Sequence, residues 1–324
     1  MQLRSFNRET VKLSTQEQGM NRMLGYCLVS LTGMFLLTGC NLVVFNPKGQ
    51  IATDERDLII LATGLMLLVV VPVIVLTFVF AYRYRATNKT ARYSPRWASS
   101  HTIEAVVWGV PLLIIIALGW VTWVTTHALD PYRPLDSDTP PINVQVVATD
   151  WKWLFIYPDL GIASVNELAL PVHTPVSFTI TSDAAMTSFF IPALGGQIYA
   201  MAGMQTKLHL IADETGVFRG IAANYNGPGF SDMHFATLSL RPADFQAWVE
   251  KVKGAARPLD QNSYAQLAKP STRHPVTYYS AVQERLFLDI VDKYEGMNKA
   301  DKRRGQTQLN DAGKRSDHYL AKEQ

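Results

Sequence analysis

The 324-residue chain carries 30 basic and 27 acidic side chains, a net charge of +3, and 48% hydrophobic residues. So small a charge, with no basic stripe interleaved with aromatics, argues against a nucleic-acid partner. The two cysteines, Cys27 and Cys40, both precede the polar half, so that half has no thiolate for a metal site, a disulfide or a nucleophile.

Residues 1–39 read as a lipoprotein signal peptide. Arg4, Arg8, Lys12 and Arg22 precede a short apolar run from Met23 to Leu37, closed by Leu37-Thr38-Gly39-Cys40. A basic segment, a run too short to span comfortably and small residues before a cleavage point describe a secretory signal. The ending resembles a bacterial lipobox, which would make Cys40 the acylated, palmitate-bearing first residue of the mature chain and discard Cys27. A membrane helix that merely ends in Gly-Cys is the alternative.

Residues 40–130 hold the acylated terminus and a transmembrane hairpin. The stretches 58–80 and 105–126 are apolar and uncharged, and a bilayer core needs about 20 such residues. Trp108, Trp120 and Trp123 lie near the ends of the second stretch, where amphipathic rings favour headgroups. Between the spans lie Arg83, Arg85, Lys89, Arg92 and Arg96, with no acidic residue before Glu104. The positive-inside rule puts this loop in the cytoplasm and exports everything after Asp130. Pro72 and Pro111 fall mid-span, where neighbouring helices can satisfy the freed carbonyl. Glu104, at the mouth of a span, is either an interfacial glutamate reaching cytoplasmic water or a proton entrance.

From Ile142 the pattern becomes short runs bounded by turn residues. Strands are expected over Ile142–Thr149, Trp151–Tyr157, Ala163–Leu170, Val176–Ser182, Gln205–Ala212, Val217–Ala223 and Phe235–Leu240. Strands this short and evenly spaced predict a β-sandwich or small barrel over 131–241. A helical region follows over 242–295, with helices at Ala243–Lys253 and about Ser280–Tyr294. Residues 296–324 are polar and charged and read as a disordered tail.

Several segments together resemble subunit II of the haem-copper oxidase superfamily. His101-Thr-Ile-Glu104-Ala-Val-Val-Trp108-Gly-Val-Pro111 looks like the start of its second span, and Asp150-Trp151-Lys152-Trp153 like its aromatic segment. Phe189-Phe190-Ile191-Pro192 and Ala202-Gly203-Met204 match the framework of its metal site, and the likeness runs from about Cys40 to Tyr294. The resemblance implies a membrane α + β chain: a two-span hairpin, an exported cupredoxin-like sandwich and a small helical C-terminal region, in the bacterial inner membrane.

In the cytochrome c oxidases of that family a histidine and the loop Cys-x-Glu-x-Cys-Gly-x-x-His-x-x-Met hold a dinuclear copper. Two bridging thiolates suit the soft ions, and imidazole and thioether complete the shell. The matching positions here are Thr187, Ala222, Asn224, Asn226 and Phe230, and only Met233 remains a possible ligand. His234 is one residue out of register, and His209, alternating with Leu208 and Leu210, reads as a surface or structural histidine. The loss of copper, with the phrases GGQIYAMAGMQTKLHLIA and NYNGPGFSDM, is similar to the quinol-oxidising branch.

The resemblance then implies a subunit of a proton-pumping terminal oxidase that oxidises ubiquinol and reduces oxygen to water. Its partners would be subunit I, smaller membrane subunits, membrane lipid and ubiquinol, and not cytochrome c. Subunit I would carry the haems and the one remaining copper, leaving this chain without a cofactor or catalytic residue. By the same resemblance Glu104 sits at the entrance of a proton path, while Trp151 and Trp153, without copper beside them, are expected to serve packing. A copper-carrying electron-transfer subunit, or a lipoprotein whose sandwich serves binding or assembly, are the competing classes.

Overall fold

The computed structural model describes residues 42–91, 94 and 97–294. The expected signal peptide, Cys27, Cys40, Arg92, Arg96 and the tail over 296–324 lie outside the described residues. Val43–Phe45 form one 3-10 turn.

Two long helices come first, α1 (Gln50–Arg83) and α2 (His101–Ala128), with Pro72 and Pro111 inside them. Each is longer than its apolar run because helix formation continues into the flanking polar turn, where partners for the end groups exist. At the start of α1 the cap residue Gly49 offers no side chain. A carbonyl of the sandwich takes its place: Ala52 N donates to Leu194 O at 3.2 Å, and just before it Lys48 N donates to Ala193 O at 2.7 Å. Glu55 Oε1 accepts from Gly196 N at 3.1 Å. Along α1 and α2 large apolar side chains such as Ile74, Phe78, Leu113 and Ile116 are exposed, a surface that water does not tolerate and lipid or a partner does.

This junction sets one expectation. Gly195 has φ of +89°, and a Cβ there would lie 2.6 Å from Ala52 N and 2.9 Å from its Cα. Gly195→Ala should therefore cost about 2 kcal/mol, from left-handed backbone strain and forced separation. Faster amide exchange at Gly196 and the first turn of α1 would report it, and unchanged exchange would contradict the close approach.

The sandwich strands are β1 (Ile142–Thr149), β2 (Lys152–Tyr157), β3 (Ile162–Val165), β4 (Glu167–Pro171), β5 (Val176–Ser182), β6 (Thr187–Phe190), β7 (Gln197–Ala200), β8 (Thr206–Leu210), β9 (Gly216–Ala222) and β10 (His234–Leu240). After them come α3 (Pro242–Lys253), β11 (Pro258–Leu259), α4 (Gln261–Leu267), β12 (Thr277–Tyr279), β13 (Ala281–Val282) and α5 (286–294). One sheet has the order β12-β3-β2-β1-β5-β8, the other β4-β10-β9-β6-β7, and β11 pairs with β13. The arrangement is a cupredoxin-like sandwich.

Three expectations need correcting. The run Ala163–Leu170 is two strands, because Asn166 adopts φ of +59° and hands the chain from one sheet to the other. Asparagine is one of the few residues that tolerate that conformation, and here its side chain is held by distant segments: Oδ1 accepts from Trp153 N at 2.9 Å and Nδ2 donates to His274 O at 2.8 Å. The second strand begins at Lys152, since Trp151 has φ of +62° and belongs to the turn. The helix expected from Ser280 starts at 286, and residues 281–282 are strand β13.

Burial explains why the second strand does not alternate. Every residue of β2 is buried. Trp153, Phe155 and Tyr157 face the core between the sheets, while Leu154 and Ile156 join Leu259, Tyr264, Leu267, Leu286, Phe287 and Ile290 in a second core. The C-terminal segment is thus a third layer on the six-stranded sheet, and it also supplies that sheet's edge strand β12.

Candidate functional site

The expected site lies where β6, the end of β9 and the loop 223–233 meet. Phe189 of β6 is in register with Ala222 of β9. Ala222 N donates to Met233 O at 3.1 Å, and Ala223 N donates to Ser188 O at 3.1 Å. Inside the loop Ser188 Oγ donates to Asn224 Oδ1 at 2.8 Å, Asn224 Nδ2 to Met186 O at 3.2 Å, and Asn226 Nδ2 to Met233 Sδ at 3.0 Å. The turn closes with Phe230 N on Gly227 O at 3.1 Å and Met233 N on Phe230 O at 3.0 Å. The Phe230 ring stacks edge-on to Tyr225 at 5.8 Å. Thr187 stands on β6 beside these contacts, fully buried.

The donor set decides what this arrangement can hold. A hydroxyl at Thr187, a methyl at Ala222, carboxamides at Asn224 and Asn226 and a phenyl at Phe230 surround the one thioether of Met233. A dinuclear copper needs thiolate bridges that neither amide nor hydroxyl replaces, so these residues do not fit that group. Among the described residues, no three His, Cys, Asp or Glu side chains gather as a metal site. The buried Thr187 Oγ1 and Asn226 Oδ1 have no hydrogen-bond partner among the described residues.

Neither His234 nor His209 turns a ring into the loop. His234 is exposed while Met233 and Phe235 on either side are buried. His209 Nδ1 lies 3.0 Å from Pro131 O and its Nε2 3.3 Å from Ser177 Oγ, so its ring ties β8 to the segment after α2.

The aromatic segment covers the loop. Trp151 lies against Gly227 and Gly229, and a Cβ at Gly229 would come within 2.3 Å of Trp151 Cδ2, so the glycine permits the contact. Trp153 is fully buried, with ring centroids 5.3 Å from Phe189 and 5.7 Å from Phe235. The indole N–H groups of both are buried and have no hydrogen-bond partner among the described residues.

Between them Lys152 is 1% exposed, its Nζ donating to Asp150 O at 3.1 Å and Lys269 O at 2.9 Å. Burial pushes its ammonium below the ordinary lysine value, against the opposing charge of Asp150. Lys152 has no signal in the sequence beyond its place in the motif, because its partners are main-chain carbonyls.

Glu104 lies elsewhere, in the first turn of α2. Its side chain is about half exposed, with Oε2 3.8 Å from His101 Nδ1, and its N–H donates to Ser100 O at 2.9 Å.

Residues 160–239 match the family model for the cytochrome c oxidase subunit II periplasmic domain, and residues 253–298 match the COX aromatic-rich motif. The chain is 56% identical over 272 residues to cytochrome bo(3) ubiquinol oxidase subunit 2 of Pseudomonas putida, covering 84% of this chain and 87% of that one. It is 51% identical over 280 residues to ubiquinol oxidase subunit 2 of Acetobacter aceti, covering 86% and 91%. Among solved structures, the periplasmic domain of cytochrome oxidase subunit II of Bradyrhizobium japonicum aligns at 24% identity and a TM-score of 0.34, over 37% of this chain and 96% of that one.

Proposed function

The chain belongs to the ubiquinol oxidase subunit 2 family of the haem-copper oxidases, and we propose that it serves a proton-pumping terminal oxidase of the cytochrome bo type. The complex oxidises ubiquinol and reduces oxygen to water in the aerobic respiratory chain. This subunit braces subunit I through α1 and α2 in the inner membrane and covers its periplasmic face with the sandwich. Subunit I carries the haems and the copper, and smaller membrane subunits complete the assembly. Cys40 bears the lipid anchor after signal cleavage.

The observation that carries this reading is the loop 222–233, which has the spacing of a dinuclear copper turn and, of its ligands, only Met233. Such a sandwich cannot relay electrons from a water-soluble cytochrome. A lipid-soluble two-electron donor needs no such relay, because it is oxidised within the membrane. The full chain, captured from its own membranes, should bring with it a haem-containing complex that oxidises ubiquinol and leaves reduced cytochrome c untouched. A colourless lone chain, or two coppers bound to this subunit, would refute the assignment.

Glu104 forms part of the entrance to a proton path on the cytoplasmic side, a role favoured by its half-exposed carboxylate at the mouth of α2. Glu104→Ala should slow proton uptake and turnover in part, with an unchanged haem spectrum, and Glu104→Asp should retain most of both. Equal uptake by the alanine variant would remove Glu104 from the path.

A further inference from the structure

Between Asp57 and Glu104 the sequence has no acidic residue, yet Arg83, Arg85 and Lys89 follow the first apolar run within a few positions. The turn that carries them is built. Asn88 Nδ2 donates to Arg83 O at 2.6 Å and Asn88 N to Arg85 O at 2.9 Å. Thr90 N and Oγ1 donate back to Asn88 Oδ1 at 3.0 and 2.7 Å. The Arg85 guanidinium sits 4.3 Å from the Tyr82 ring centroid. Together Phe78, Val79, Tyr82, Arg83 and Asn88 line an open groove at the end of α1. Among the described residues no carboxylate pairs with any of the three cations.

We propose that this groove binds the headgroup of an anionic phospholipid, such as phosphatidylglycerol, in the leaflet facing the cytoplasmic loop. The order of groups along the chain matches the order of groups in that lipid. Phe78 and Val79 offer apolar walls, Tyr82, Arg83 and Asn88 complete the lining, Arg85 sits over the Tyr82 ring beside it, and Lys89 follows Asn88 in the same turn. A guanidinium meets a phosphate with two parallel N–H donors, and an ammonium adds a point charge. The C-terminal end of α1 opposes an anion with about half a negative charge. Two of its carbonyls are already taken, Phe80 O by Tyr84 N and Arg83 O by Asn88 Nδ2, and three full positive charges outweigh the remainder. Each cation near an anionic membrane surface is worth about fivefold in binding.

The proposal rests on the membrane placement of α1 given above, and one preparation tests the two separately. The intact purified oxidase complex is stripped of lipid and titrated with phosphatidylglycerol, while bound lipids are counted by mass spectrometry. The R83Q/R85Q/K89Q complex should hold one fewer phosphatidylglycerol than the unmodified complex, and R85Q alone should raise the half-saturating concentration about fivefold. Phosphatidylcholine should not fill the site, and inorganic phosphate should not empty it. Equal counts in the two complexes, or equal retention of the two lipids by the unmodified one, overturn the proposal. Should the triple variant not assemble, R85Q decides alone, an unshifted titration refuting the site. Ubiquinol oxidation by the same sample reports on the functional reading independently.

Discussion

Phe189→Ala should lower the unfolding midpoint of the sandwich on the order of 10 °C, the largest effect expected of any single substitution here. Phe189 is fully buried and its ring meets four others: Trp153 at 5.3 Å, Phe235 stacked at 5.3 Å, Phe178 at 5.5 Å and Phe155 at 6.3 Å. Truncation removes the transfer energy of a phenyl group and leaves a cavity whose walls, being rings from both sheets, cannot collapse into it. The cost of such a change is about 4 kcal/mol, and a domain of this size loses about 2–4 °C per kcal/mol. Phe189→Leu keeps much of the volume and should cost less than half as much. Thermal unfolding of the purified chain, followed by near-ultraviolet dichroism, compares them. A loss below about 1 kcal/mol for the alanine variant would mean that the two sheets are not joined through this ring. Phe189 is in register with Ala222, so the same variant should loosen the loop 223–233, and the functional framework and the core are one structure.

That union also explains what could be read from the residues alone. The strands Ile142–Thr149 and Val176–Ser182 have the bounds expected of them. The spans were visible because apolar length is a one-dimensional signal. The split at Asn166 was not, since it depends on a left-handed residue whose side chain meets Trp153 and His274. Strands β6 and β7 are only four residues each, too short to show alternation, although β6 carries Thr187 and supports the whole loop. Helix α4 carries a local cue, Asp260 accepting from Ser263 N at 2.7 Å as an N-cap. At the candidate site the positions lay in the sequence as missing ligands. What held them in place, Ser188 on Asn224 and Asn226 on Met233, required the two sheets to be brought together first.

The third layer poses the second large expectation, at Asp183, which follows β5. Its carboxylate is 3% exposed and accepts from Tyr264 Oη at 2.7 Å, Lys293 Nζ at 2.7 Å and Tyr294 Oη at 2.8 Å. Three donors, two of them on α5, thus converge on one anion held by the sandwich. Asp183→Ala strands the buried Tyr264 hydroxyl and should cost about 3 kcal/mol, since bonds to a charged acceptor are worth about 1.5–3 kcal/mol each and the exposed lysine contributes little. Asp183→Asn should cost less, because one amide orientation keeps the carbonyl on Lys293 and Tyr294 and turns the amide nitrogen to the Tyr264 hydroxyl, which can accept once its own hydrogen turns away. Limited proteolysis should then cut first between α4 and α5, and unchanged cleavage would show that the apolar second core suffices to hold the layer. The pH dependence carries a sign. The hydrogen bond to Asp183 raises the Lys293 ammonium above its ordinary value, and burial, followed by the same carboxylate, raises the Tyr264 phenol. Groups raised in the folded state stabilise it fully below their unfolded values, about 10 for both, and lose that contribution as pH climbs through the folded ones. The stability gap between the native chain and Asp183→Ala should therefore be constant through neutral pH and narrow above about pH 10. A gap that widened there would place the donors elsewhere.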